Sequence, residues 1–146
     1  MESKTIIMVV GLPCSGKTTL CKKMLKEFDK SVFIDDPTNF ESIDMWVNDP
    51  LNRVLIIADL NLCMESNRDK AVERIIDAYS GNIYFKWFYF ENDPAKCMVN
   101  YAYRKQTGDI RRVSNAIFQY TKLYTIPKHS TVIEIWQPND EEISKL

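Results

Sequence analysis

The segment Gly11-Leu12-Pro13-Cys14-Ser15-Gly16-Lys17-Thr18-Thr19 constrains this chain most, because an apolar run from Ile6 to Val10 precedes it and the stripe Leu20, Met24, Leu25, Phe28 follows it. An apolar strand, a Gly-x-x-x-x-Gly-Lys-Thr turn and an amphipathic helix together make a phosphate-binding unit. Gly11 and Gly16 let the backbone wrap closely, so that its N–H groups and the helix N-terminus face anionic oxygens. Lys17 is expected to span the terminal phosphates of ATP, and Thr18 to offer its hydroxyl to Mg²⁺. Pro13, Cys14, Ser15 and Thr19 complete the nucleotide-binding set. Cys14 reads as a small filler whose oxidation would hinder phosphate binding.

Beyond this unit, strand-like and helix-like segments alternate to the end of the chain. Residues 5–10, 31–34, 53–58, 83–90 and 131–136 are expected as strands, and their continuous apolar character suits burial on both faces. Helices are expected near 16–27, 39–47, 66–79, 94–103 and 112–124, with Asp93-Pro94 a capped start. The pattern predicts an α/β fold with five parallel strands and helices on both faces. With 146 residues, 45% of them hydrophobic, one core and a single domain are expected.

Several classes of function are disfavoured. No segment approaches the roughly 20 apolar residues that cross a bilayer, and nothing resembles a signal peptide, so a soluble cytoplasmic protein without a membrane partner is expected. Cys14, Cys21, Cys63 and Cys97 form no Cys-x-x-Cys pair and His129, read as a loop residue, is the one histidine, so neither zinc nor a disulfide framework is expected. A net charge of −1 gives no general positive field, and a polyanion would need a local basic patch.

Three further groups carry candidate chemistry. Asp59 ends the third strand, where a carboxylate can contact Mg²⁺ through water or orient the substrate; the alternative is a plain helix or turn cap. Asp35 and Asp36 end the second strand, where one can accept a proton from an attacking hydroxyl or both can merely build an Asp-Pro turn. Arg104, Lys105, Arg111 and Arg112 flank Gly108 in a polar stretch that reads as a basic lid over the transferred phosphoryl group, the alternative being a solvated charged face. Tyr84 to Phe90 reads as a central strand rather than a base-stacking platform.

These residues resemble the small P-loop kinases of the polynucleotide-kinase-like group, whose loop is commonly Gly-x-Pro-x-Ser-Gly-Lys-Ser/Thr-Thr. Asp35-Asp36 and Asp59-Leu60-Asn61 match that group's motifs after the second and third strands. The resemblance implies a P-loop kinase fold, ATP and Mg²⁺ as cofactors, Asp35 as base with Asp36 its competitor, and lid arginines that assist the phosphates. The implied acceptor is a hydroxyl of DNA or RNA, either a 5′-hydroxyl or one on a modified base, or of a nucleoside-type compound. The group's arginine three residues after the base is absent, since Thr38 or Asn39 stands there. Nucleoside monophosphate kinases are also similar in loop and lid, but residues 35–52 hold no Lys or Arg to grip an acceptor phosphate. A hydroxyl acceptor is therefore expected, with a nucleotide kinase, a small-molecule kinase and a nucleotide-dependent ATPase switch as the other readings.

Overall fold

Strand β1, Lys4–Val10, is the centre of the structure, and Ile6 to Val10 are each at most 1% exposed. It lies between β3, Val54–Ala58, and β4, Ile83–Phe90, with Ile7 opposite both Ile56 and Lys86. β2, Ser31–Asp35, pairs with β3, and β5, Val132–Ile133, pairs with β4. The sheet is therefore five-stranded and parallel throughout, as expected from the sequence, and its order is β2-β3-β1-β4-β5. The computed structural model describes residues 3–37, 40–104 and 109–145.

The strand order determines where a ligand can sit. From β1 the chain passes through α1, Lys17–Glu27, over β3 to β2, and returns through α2, Glu41–Asn48, to β3. From there a 3₁₀ turn, Leu60–Cys63, and α3, Glu65–Ala78, lead past β1 to β4. Right-handed crossovers taken in opposite directions put α1 on one face and α2 and α3 on the other. An ion pair of 2.8 Å between Arg74 and Asp44 links α3 to α2 on that face. The reversal between β1 and β3 opens a crevice at their carboxyl ends, which is the ligand edge of open α/β sheets.

The opposite edge is closed. Lys4 is 1% exposed, and its ammonium donates to the carbonyls of Asp49 at 2.8 Å and Asn52 at 2.7 Å, with the rings of Trp46 and Tyr79 beside it. Burial lowers its pKa.

Several boundaries differ from the sequence expectation. β5 spans only Val132–Ile133 because the next backbone groups are held by side chains: Ile135 N–H donates to Glu91 Oε1, and the Trp136 carbonyl accepts from Asn100. After α4, Pro94–Tyr103, helix α5 begins at Ile110 rather than 112 and runs to Leu123, because the Asp109 side chain caps it by accepting from Arg111 N–H. Arg111 and Arg112 consequently stand in the first turn of a helix, not in the connecting stretch. Lys105 to Gly108, the middle of the expected lid, lie outside the described residues, as do Thr38 and Asn39. The 3₁₀ turn and a last helix, α6, Asp140–Ser144, were not expected, although Asn139 and Glu142 form a capping box legible as Asn-x-x-Glu.

Candidate phosphate-binding and phosphoryl-transfer site

The loop after β1 is built to leave its backbone bare. Gly16, the N-cap of α1, has φ 108°, a left-handed conformation that favours glycine. A Cβ at Gly11 would lie 2.5 Å from Ser15 Oγ. That hydroxyl is buried and has no hydrogen-bond partner among the described residues. A polar atom buried without a partner is rare and costly. Together with the free N–H groups that begin an 11-residue helix, it suits a phosphate oxygen.

Lys17 is the cation at the centre of the crevice. Its ammonium donates to the Gly11 carbonyl at 2.6 Å and to the Leu12 carbonyl at 3.3 Å. Its charge acts on both Asp35 and Asp59, opposing the rise in their pKa values. The ends of β1, β2 and β3 therefore bring the sequence-predicted ammonium and carboxylates together around one point.

The two aspartates after β2 are not equivalent. Asp36 sits at φ 43°, with its N–H donating to the Ala58 carbonyl at 2.7 Å and its Oδ1 accepting from Leu60 N–H at 3.1 Å. It ties the end of β2 to the turn after β3. Among the described residues no such tether is seen for the Asp35 carboxylate, whose pKa is raised by partial burial and by the neighbouring charge of Asp36. Asp59 does cap the 3₁₀ turn, accepting from Asn61 N–H at 3.0 Å, and burial raises its pKa. The Asn61 side chain also hydrogen-bonds this carboxylate, so the capping role read from the sequence is present.

The residues present fit Mg²⁺. Among the described residues no group of three or more His, Cys, Asp or Glu could enclose a metal alone. Mg²⁺ commonly needs only one or two protein oxygens together with substrate phosphates, and Thr18 and Asp59 are the side chains at the crevice that would supply them. Cys14 carries a raised thiol pKa through burial, so it stays protonated and small beside the loop.

Four residues that sequence reading passed over support the site. Asn100 on α4 is 1% exposed; its amide donates to the Cys14 carbonyl at 3.2 Å and to the Trp136 carbonyl at 2.8 Å, and accepts from Gln137. It holds Cys14 in the left-handed conformation, φ 63°, that the loop requires. Tyr124 donates to the Phe90 carbonyl at 2.5 Å, fastening the end of α5 to the end of β4. Arg68 is 5% exposed and donates to the carbonyls of Leu62 and Cys63 and to Thr125 Oγ1, fixing the turn after Asp59. The signal for Asn100 and Arg68 was a polar residue on an apolar helical face, at i+3 from Cys97 and i−3 from Ala71. Asn100→Leu should lower stability by about 1–3 kcal/mol by stranding two carbonyls. Denaturant midpoints measure this, and a midpoint equal to the parent's would contradict the clamp.

The fourth is Lys70. Beside Asp59 a cleft of about 290 Å³ runs between α2, α3 and the sheet, walled by Phe40, Ile43, Ile57 and Ile75 with Lys70 contributing to its lining. The window 35–52 lacks a cation, yet α3 brings one to this cleft from further along the chain. Arg104 closes α4 near enough to Cys14 for its charge to act on that thiol, whereas Arg111 and Arg112 are exposed on α5.

No protein-family model matches the chain. An uncharacterized protein of Acanthamoeba polyphaga mimivirus, R277, is 29% identical over 135 residues, spanning 87% of this chain and 91% of that protein. The crystal structure of a fungal RNA kinase is similar with a TM-score of 0.65 at 13% identity, over 99% of this chain and 83% of that one. The crystal structure of APE1195 is similar with a TM-score of 0.60 at 15% identity, over 99% and 93%. At these identities the two structures show the shared fold. No helix among the described residues is long and apolar enough to cross a membrane.

Proposed function

We propose that the chain is an ATP-dependent kinase that transfers the γ-phosphoryl group to a hydroxyl on a nucleic acid or nucleoside-type acceptor. The observation that carries this reading is the convergence of the bare loop Gly11 to Thr18, the Lys17 ammonium and the Asp35 carboxylate at one sheet edge. The fold shared with a fungal RNA kinase supports it. In this reading the loop N–H groups and Lys17 hold the phosphates, Asp35 takes the proton of the acceptor hydroxyl, and Asp36 with Asp59 keeps the turn beside it in place. Bound at Thr18 and Asp59, Mg²⁺ supplies charge neutralisation on the phosphate oxygens. The cleft holding Lys70 favours a second, narrower reading, a nucleotide or small-molecule acceptor.

Incubation with γ-labelled ATP and a panel of nucleosides, nucleotides, oligonucleotides and modified DNA tests the proposal. Acceptor-dependent label transfer is expected. Release of phosphate with no labelled acceptor in any arm would instead indicate an ATPase switch.

The lid reading makes its own prediction. Ground-state contacts of exposed charges are worth about 0.2–1 kcal/mol. Alanine at Arg104 or at one of Arg111 and Arg112 should lower kcat by about tenfold or more while KM for ATP changes less, since the charge acts most as the phosphoryl group departs. Steady-state kinetics on the three variants decide it, and three near-parental kcat values would leave these arginines as a solvated face.

A further inference from the structure

Helix α3 carries Glu65, Asp69, Glu73 and Asp77, three successive i,i+4 steps of like charge. Such neighbours repel. Among the described residues none of the four has an ion-pair partner, whereas Arg74 on the other side of the helix is paired with Asp44. The acidic row borders a groove of about 510 Å³ floored by Val72, Ile76, Trp87 and Tyr89. Ile76 is 52% exposed, and the half-buried Trp87 ring stacks at 6.0 Å on the Tyr89 ring to form an aromatic ledge. The open face of the ledge is Trp87, since Tyr89 is 6% exposed and carries the Arg68 guanidinium 5.5 Å from its centroid. Burial raises the pKa of the Tyr89 hydroxyl, the Arg68 charge opposes the rise and Asp69 and Glu65 add to it, which places both signs of charge at the inner end of that ledge.

The same strand leaves an edge open. β5 pairs with β4 only at Tyr89 and Phe90, so among the described residues Ile83 to Phe88 have a strand partner on the β1 side alone. An apolar strand with a free edge is a template for another extended chain. A second copy of this protein pairing β4 to β4 would continue the sheet and bring two acidic α3 rows side by side, and a nucleic acid would meet the same negative wall. Four carboxylates lie along one side, and the single lining cation among the described residues, Arg68, already covers Tyr89. The carboxylates and the Trp87 face below instead suit further cations, through ion pairing and cation–π contact.

We infer that this groove and the free edge of β4 form a docking surface for an extended lysine- or arginine-rich segment of a partner protein, separate from the phosphate crevice. The backbone of the segment adds a strand to β4, and its alternate side chains place their charges between the acidic row and the ledge.

Fluorescence anisotropy with the intact protein and a labelled nine-residue peptide of alternating lysine and valine tests this. Binding should weaken as salt rises through the range where the Debye length falls below about 10 Å, and a glutamate–valine peptide should not bind. The double variant Asp69→Lys, Glu73→Lys should bind at least about tenfold more weakly, and Ile76→Ser, an exposed change that leaves the core alone, at least about threefold. A peptide N-methylated at alternate backbone positions should lose most affinity, because strand addition needs its N–H groups. Equal binding by the double variant, or equal binding of the methylated peptide, would overturn the inference. So would a β4-mediated dimer, seen by sedimentation and dispersed by Ile76→Ser, or an oligonucleotide that binds this face.

Discussion

Asp35→Asn is expected to reduce phosphoryl transfer by roughly 10²–10⁴, the range for loss of a general base, while ATP affinity stays near the parent's. The amide keeps the shape of the carboxylate but cannot take the proton. Burial and the charge of Asp36 raise the Asp35 pKa above its ordinary 3.8. The acid limb of kcat/KM should therefore lie above the usual carboxylate range, with activity rising as pH rises through it, and Asp35→Asn should abolish that limb. Stability moves the other way: a carboxyl whose folded pKa is raised favours folding when protonated, and this contribution is lost as pH rises through the folded value. Asp36→Asn retains an oxygen that can accept from Leu60 N–H and should leave the rate close to the parent's. If the large loss follows Asp36→Asn instead, the roles within the pair are exchanged.

Lys17→Ala should abolish transfer, with a loss on the order of 10²–10³ or more for one preorganised charge at the departing phosphoryl group. Its fold should persist, because the ammonium contacts two loop carbonyls rather than the core. Removing it also takes away the positive charge that opposes the rise in the Asp35 and Asp59 pKa values, so both should titrate at higher pH in the variant. NMR titration of the carboxylates checks this independently of turnover. A folded Lys17→Ala protein with most of its turnover would remove the phosphate-loop account.

The parallel sheet was legible because apolar runs without alternation leave few alternatives once helices separate them. The loop was legible because Gly11, Gly16 and Lys17 combine rare backbone freedom with a fixed charge. Other features depend on contacts distant in sequence. A polar residue on an apolar helical face marks Asn100 as one that needs a partner, but nothing local says that the partner is Cys14, 86 positions away. Nor could residues 131–136 reveal that the Glu91 and Asn100 side chains would take backbone groups that a longer β5 would have paired. The start of α5 was misjudged by two residues because Asp109 was read as part of a polar connection, although an Asp two residues before Arg111 is a competent cap. Lys70 lies beyond the third strand, outside the window 35–52 that borders the acceptor side in sequence, and only folding brings α3 to the cleft.

Calorimetric titration with ATP and with AMP, each with and without Mg²⁺, tests the central claim most directly, since it asks whether the loop from Gly11 to Thr18 holds terminal phosphates. The account predicts that ATP binds at least about a hundredfold more tightly than AMP, that Mg²⁺ strengthens ATP binding alone, and that Lys17→Ala removes the difference. Equal affinity for ATP and AMP, or ATP binding indifferent to Lys17→Ala, would contradict it.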